Sequence, residues 1–262
     1  MFHAGRIAGR SRISPTVVKL DITVTTPPLA SFLPGQWVDL VAEGQPWVGG
    51  FSIASSPRDL PTLTLAVKRS GDPPAAWVHD ADRSAVGSPV RVRVGGGSVL
   101  TGPGPLRPSV FCAGGIGIAP VLSQYREFLF LRGAAAEGSP AAPAMLLYTA
   151  SRAEELVFGG ELADLSREGC TAGGGSDRVV FALTREPTGW GSERNGDSDS
   201  DRTFPPHVEL RTGRVLKEFL DEGPADADYY LCGPPSMIDE AVAHLRGVRS
   251  IPHEQIKYEK WW

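Results

Sequence analysis

Cysteine is scarce in this chain. Cys112, Cys170 and Cys232 are the only three in 262 residues, and none lies in a paired spacing. That excludes a disulfide framework and a four-cysteine iron–sulfur site within the chain, and a reducing compartment is the simplest setting. Long apolar runs are lacking too: none approaches the ~20 residues that span a bilayer. Basic excess is absent, with a formal net charge of -4, so nothing argues for nucleic acid or an anionic membrane as partner. The five histidines show no metal spacing, and no metal site is expected. Met1 to Arg12 has arginines but no apolar h-region, so it does not read as a secretory signal. An intracellular, cytoplasmic protein is expected, or an organellar one if a transit peptide preceded this chain.

What is present is ordinary globular material, 41% hydrophobic and 21% charged, long enough for two modest domains. The first part is short strands broken by Gly/Pro turns: Ile13 to Thr25, Gln36 to Val41, Phe51 to Ser55, Leu63 to Val67 and Val90 to Val94. One helical piece, Pro74 to Ala81, interrupts them. This predicts a small antiparallel barrel over about 1–106.

From Pro108 strand and helix alternate, which predicts a doubly wound parallel sheet over 107–262. The expected strands are 109–113, 144–149, 178–183, 228–232 and 255–258. The expected helices are 120–132, 160–167, 213–220 and 235–246. Two segments, 133–143 and 188–206, read as inserts without chemistry. The stretch Val110-Phe111-Cys112-Ala113-Gly114-Gly115-Ile116-Gly117-Ile118-Ala119-Pro120 is strand, glycine turn and helix start. Glycines let a backbone approach a pyrophosphate, and a helix N-terminus offers it N–H groups and positive dipole. Pro120 suits the first helical turn.

Six motifs stand in one order: Pro34-Gly35-Gln36, Phe51-Ser52-Ile53-Ala54-Ser55-Ser56-Pro57, Gly114 to Pro120, Tyr148 to Arg152, Leu183 to Glu186, and Cys232-Gly233-Pro234-Pro235. Barrel, sheet and motif order together resemble the ferredoxin–NADP reductase superfamily over nearly the whole chain. Gly49-Gly50-Phe51-Ser52 and Tyr258-Glu259-Lys260-Trp261-Trp262 look most like the eukaryotic oxidoreductase NAD-binding domain-containing proteins. The resemblance implies a six-stranded antiparallel barrel that holds FAD and a parallel-sheet domain that holds NAD or NADP. The nicotinamide dinucleotide gives a hydride to the flavin, and electrons leave to a separate acceptor, protein or small molecule. A monomer is expected.

Residue by residue, the resemblance places the flavin on Gly50, Phe51, Ser52 and Ile53, with Ser52 near the reacting nitrogen. The dinucleotide falls on Gly114, Gly115, Ile116, Gly117, Pro120, Ser151, Arg152, Thr184, Arg185, Cys232, Gly233 and Pro234. Cys232 would lie beside the nicotinamide. Trp262 would be an aromatic gate over the flavin, the other reading being plain packing of Trp261 and Trp262. Cys112 and Cys170 read as structural. The sequence departs from the family at two positions. The flavin-phosphate arginine falls on Gly49, and a helix-start hydroxyl falls on Ala75. Flavin binding is therefore weakened, and a nucleotide-binding module without flavin or catalysis stays open as the alternative.

Overall fold

The structure is a computed structural model. It describes residues 1–97, 99–100, 106–135, 142–172, 177–186 and 208–261, with the side chains of 168–172 left aside. Trp262, the expected insert 188–206, most of the insert 133–143 and the Cys170 side chain lie outside the described residues. No helix among the described residues is long and apolar enough to cross a membrane.

The chain divides into two units, Met1–Pro103 with Ala119–Phe128, and Gly104–Ile118 with Leu129–Trp262. The first is built on six antiparallel strands: β1 (His3–Arg12), β2 (Val17–Thr26), β3 (Trp37–Ala42), β4 (Gly49–Ser52), β5 (Thr62–Lys68) and β6 (Pro89–Gly95), with helix α1 (Pro73–His79) between the last two. Their order is β4-β3-β6-β1-β2-β5. An Ile53–Leu65 bridge and an Ala54 N–H to Thr64 O bond of 2.8 Å tie the two edge strands, so the sheet is nearly a closed barrel. Alternating residues such as Leu20, Ile22, Val38, Leu40, Leu65 and Val92 fill it and are fully buried. Each such side chain stabilises the fold by about 1.5–3 kcal/mol.

β1 was not expected from the sequence. Its inward positions are Gly5, Ile7 and Gly9, which carry little apolar signal. Gly5 is needed there: a Cβ would stand 2.8 Å from Thr23 O on β2.

The second unit holds β7 (Ser109–Gly114), β8 (Ala144–Ala150), β9 (Arg178–Leu183), β10 (Val208–Thr212), β11 (Asp228–Gly233) and β12 (Ile256–Lys260). All pair in parallel, in the order β10-β9-β8-β7-β11-β12. The helices are α2 (Ile118–Gly133), α3 (Gly159–Ala172), α4 (Leu216–Asp221) and α5 (Pro235–Gly247). Every residue of β7 is buried, as a central parallel strand requires. Strand order reverses between β7 and β11, and a crevice at the carboxyl ends of strands opens at such a point.

Four details differ from the sequence reading. β10 is an added edge strand. α4 begins at Leu216 rather than Gly213, because Gly213 has φ +88 and cannot be helical. β12 runs on to Lys260. The segment Ala119–Phe128 of α2 groups with the barrel strands. There Ser123 Oγ donates to Ser55 O at 2.7 Å, and Arg58 and Arg126 pair with Glu127 and Asp59.

Candidate functional site

In the second unit the three glycines of the β7–α2 turn have separate jobs. Gly115 has φ +54, and a Cβ there would meet nothing within 4 Å. It is the glycine that faces open space, in a conformation other residues rarely adopt. Gly117 is held against the end of β11. A Cβ on it would stand 2.3 Å from Cys232 O and 2.8 Å from Gly233 N. Gly114 is covered by α5, with Met237 Sδ at 2.5 Å and Pro234 Cδ at 2.8 Å from a built Cβ. A Cβ built on Gly233 would in turn stand 3.1 Å from Gly114 Cα. Gly114, Gly117 and Gly233 therefore let two strand ends come together, and Gly115 leaves the space beside them clear. The N–H groups that open the turn have no helical carbonyl to meet. Pro120 sits in the first turn of α2, where its missing N–H costs nothing, and Ile116 is half-buried.

Around this turn the structure gathers the other expected residues of the unit. Ser151 and Arg152 follow β8, and Thr184 and Arg185 follow β9. Arg185 N–H donates to Ser151 O at 3.1 Å and Thr184 N–H to Ala150 O at 2.9 Å, which brings the two pairs side by side. Both arginines are exposed, and neither forms an ion pair among the described residues. Cys232 is buried. Burial, then the neighbouring Glu259 charge, pushes its thiol well above the ordinary range, so it is a neutral thiol. Pro234 caps α5.

Glu259 carried no assigned role from the sequence, and Trp261 was read only as packing. Glu259 pairs with Cys232 across β11 and β12. Burial pushes its carboxyl upward, and the nearby Trp261 indole offsets part of that. Yet neither Glu259 Oε2 nor Trp261 Nε1 makes a hydrogen bond of acceptable geometry among the described residues, although both atoms are buried. Trp261 is not a loose tail residue, because its N–H donates to Gly233 O at 2.9 Å and extends the ladder. A carboxylate at the end of a closing strand, next to a cysteine strand end, was the available signal.

In the first unit, β4 carries Gly49, Gly50, Phe51 and Ser52, and Ile53 lies fully buried beyond it. Ser52 pairs with Trp37 across β3, and Phe51 with Val38. Phe51 is half-buried and packs against the barrel core. The place of the family's arginine is filled. A Cβ at Gly49 would stand 2.5 Å from Pro74 Cβ and 2.7 Å from Phe51 Cε2. The helix start that would face a flavin phosphate is α1, and it has prolines at its first two positions, with Asp72 at the N-cap position and its carboxylate accepting from Ser70 Oγ at 2.9 Å. Those prolines supply no N–H. Ala75 is buried and has no hydroxyl. The arginine and the hydroxyl of the family's flavin-phosphate site are therefore missing, and the exposed Lys68 and Arg69 are the cations that precede α1 in the chain.

No protein-family model matches the chain. It is 34% identical over 271 residues to oxidoreductase NAD-binding domain-containing protein 1 of Bos taurus, covering 99% of this chain and 80% of that protein. It is 28% identical to ferredoxin–NADP reductase B of Sorangium cellulosum, over 99% of this chain and 97% of that one. The fold matches a solved ferredoxin NADP+ reductase from Neisseria gonorrhoeae with bound FAD and NADP, at a TM-score of 0.70 and 20% identity, covering 100% and 99% of the two chains. The chain belongs to the oxidoreductase NAD-binding domain-containing protein 1 family, on a ferredoxin reductase-like fold.

Proposed function

We propose that this chain is an NAD(P)H-dependent oxidoreductase that binds the nicotinamide dinucleotide at the carboxyl ends of β7 and β11 and passes its electrons to a separate acceptor. The observation that carries this reading is Gly115, a positive-φ glycine opening onto free space between a buried strand and a helix start. A pyrophosphate approaching that turn meets backbone N–H groups and no side chain. Glu259 Oε2 and Trp261 Nε1, both buried and without a hydrogen bond of good geometry among the described residues, support it. An acceptor and a donor buried side by side suit a carboxamide, which offers one N–H and one C=O. Cys232, as a thiol, fills the strand end without adding charge.

Arg152 and Arg185, with Ser151 and Thr184, give the ribose end a cationic, hydroxyl-bearing rim. That favours a 2′-phosphate and hence NADPH over NADH. Relatives and neighbours of this fold include a protein described with bound FAD and NADP. In this chain Phe51 and Ser52 remain for a flavin ring, but the arginine that would clamp its phosphate does not. The same observation at Gly49 favours, as a second reading, a nucleotide-binding module without catalysis.

Calorimetric titration of the purified protein with NADPH and NADH tests the reading, alongside Gly115→Ala. Binding by the parent and a loss of tenfold or more in the variant are expected, because the new Cβ occupies the approach. Unchanged affinity in a folded variant would sink the assignment.

A further inference from the structure

We propose that the β12 edge of the parallel sheet, with the flank of α5 beside it, is a docking face for a second copy of this chain, and that the protein is a two-fold dimer through it.

The face has two parts. β12 pairs with β11 on one side, and among the described residues no strand pairs with its other side. Trp261 N–H donates to Gly233 O, and in a parallel ladder alternate residues turn to the same neighbour. Lys257 and Glu259 therefore bond toward β11, and the N–H and C=O groups of Ile256, Tyr258 and Lys260 point outward. The second part is α5. Ile238, Ala241 and Leu245 bury its inner face. Its α4 flank is occupied, with Glu240 meeting Lys217 at 3.2 Å and His244 Nε2 lying 2.7 Å from Asp221 Oδ1. The opposite flank carries Asp239, Ala243 and Arg246, at i, i+4 and i+7, and all three are exposed. With Val242, Gly247 and the 40% exposed Tyr258 they line a groove of about 470 Å³.

Open strand edges often carry charge that turns a partner away. Here both lysines of the edge are held by their own chain, Lys257 by Asp228 at 3.1 Å and Lys260 by Asp239 at 2.6 Å. What is left is self-complementary. With a second β12 antiparallel to the first and Tyr258 opposite Tyr258, Ile256 faces Lys260 and Lys257 faces Glu259, so no like charges meet. Both strands turn the same three residues outward, so every facing pair among them is in hydrogen-bonding register.

The helices agree with the strands. α5 packs over β11 and β12 alike, so two copies of α5 would lie about two strand spacings, ~10 Å, apart. That is the ordinary distance of packed helices, and the small Ala243 sits on the facing flank. α5 runs against β12, starting with Asp239 beside Lys260. The two-fold therefore sets Asp239 of each copy level with Arg246 of the other. Arg246 is exposed and has no ion pair among the described residues. A partner of one charge would match one end of this face and oppose the other, whereas a second copy matches both.

The test is sedimentation velocity of the purified full chain over a dilution series at low salt. A dimer that dissociates on dilution is expected. Tyr258→Pro removes an outward N–H and none that pairs with β11, a change that edge strands accept, and should weaken the dimer by about tenfold or more. Arg246→Glu and Asp239→Arg each set like charges at both ends and should weaken it by a similar factor. An equimolar mixture of these two variants should form mixed dimers, because opposite charges face each other again. Circular dichroism checks that each variant is folded, and the charge pair reads the interface even if the proline variant is not. A parent that stays monomeric at about 100 µM overturns the proposal, since a specific contact of this size should hold in the micromolar range. So does a dimer that none of the folded variants weakens, which lies on another face. Charge variants that weaken the dimer singly and do not combine in the mixture overturn the two-fold arrangement.

Discussion

Gly117 and Gly115 lie two residues apart and answer to different constraints, so replacing each with alanine should give unlike results. In Gly117→Ala the new Cβ would stand 2.3 Å from Cys232 O, 2.5 Å from Cys232 C and 2.8 Å from Gly233 N. All three are backbone atoms inside β11, which is paired on both sides by β7 and β12. They cannot swing aside as a side chain can. The start of α2 must move by roughly an ångström, against an interior packed at crystal density. Overpacking of this kind costs about 1–3 kcal/mol, and contact with backbone puts this case near the top of that range. With a urea m-value of about 2 kcal/mol/M, the unfolding midpoint should fall by about 1–1.5 M.

Gly115→Ala meets no neighbour at all. Its cost is conformational, since an L-residue at φ +54 loses about 1–2 kcal/mol, a fall of at most about 1 M. Gly114→Ala is intermediate, because Met237 Sδ is the end of a flexible side chain while the Pro234 ring is not. The assay is urea unfolding followed by tryptophan fluorescence, with each variant also titrated with NADPH. The expected order of destabilisation is 117, then 114 or 115, with dinucleotide affinity lost in 115 despite the smaller stability cost. A Gly117→Ala midpoint within about 0.3 M of the parent would refute the close approach of turn and strand on which the site is built.

Three further outcomes follow from other parts of the molecule. Arg132 and Asp177 form a largely buried two-pronged pair at 2.6 and 2.7 Å, and Asp177 also accepts from Ala144 N–H at 3.0 Å; Asp177→Ala should cost about 3 kcal/mol in urea unfolding by removing the acceptor these donors share. Because burial raises the Glu259 pKa in the folded state, stability is fully present below the ordinary carboxylate pKa and is lost as pH rises through the raised value. Glu259→Gln should therefore melt higher than the parent at pH near 8 and match it near 4, read by thermal unfolding. Arg152→Ala and Arg185→Ala should each weaken NADPH by about three- to tenfold and leave NADH unchanged, read by calorimetry; equal loss for both dinucleotides would place these arginines elsewhere than at a 2′-phosphate.

Legibility in the sequence tracked how a residue's role is written. The parallel sheet was readable because β7, β8 and β11 are buried on both faces and come out as continuous apolar runs. β1 was not, because its core-facing positions include two glycines chosen for close approach, which erase the alternation. β10 was missed for a related reason, as an edge strand with only Val208 buried. In the turn after β7 the glycines were visible but their division of labour was not. Which glycine faces a neighbour and which faces space depends on β11 and α5, more than a hundred residues later. The end of the chain differs in another way: the last strand was expected to stop at Tyr258, while the ladder continues through Lys260 and the Trp261 N–H.

Gly49 shows why a missing motif residue is more than a deletion. The vacancy left by an arginine would ordinarily be refilled by water or by a cation from nearby. Here it is refilled by Pro74, the second residue of α1, and by Phe51, two positions along the same strand. Both substitutes are apolar, and Phe51 also packs into the barrel core, so the space has been annexed to the fold. Position 49 and position 74 are thereby coupled. A side chain at 49 needs the proline ring gone, and with the ring in place only glycine fits. Restoring the arginine alone would overpack the barrel, and the first two residues of α1 would still donate no N–H. The second unit shows the opposite state at Gly115, where the corresponding space is kept clear at a conformational cost. The two glycines are thus opposite in kind: the space at Gly49 is packed by side chains, and the space at Gly115 is open.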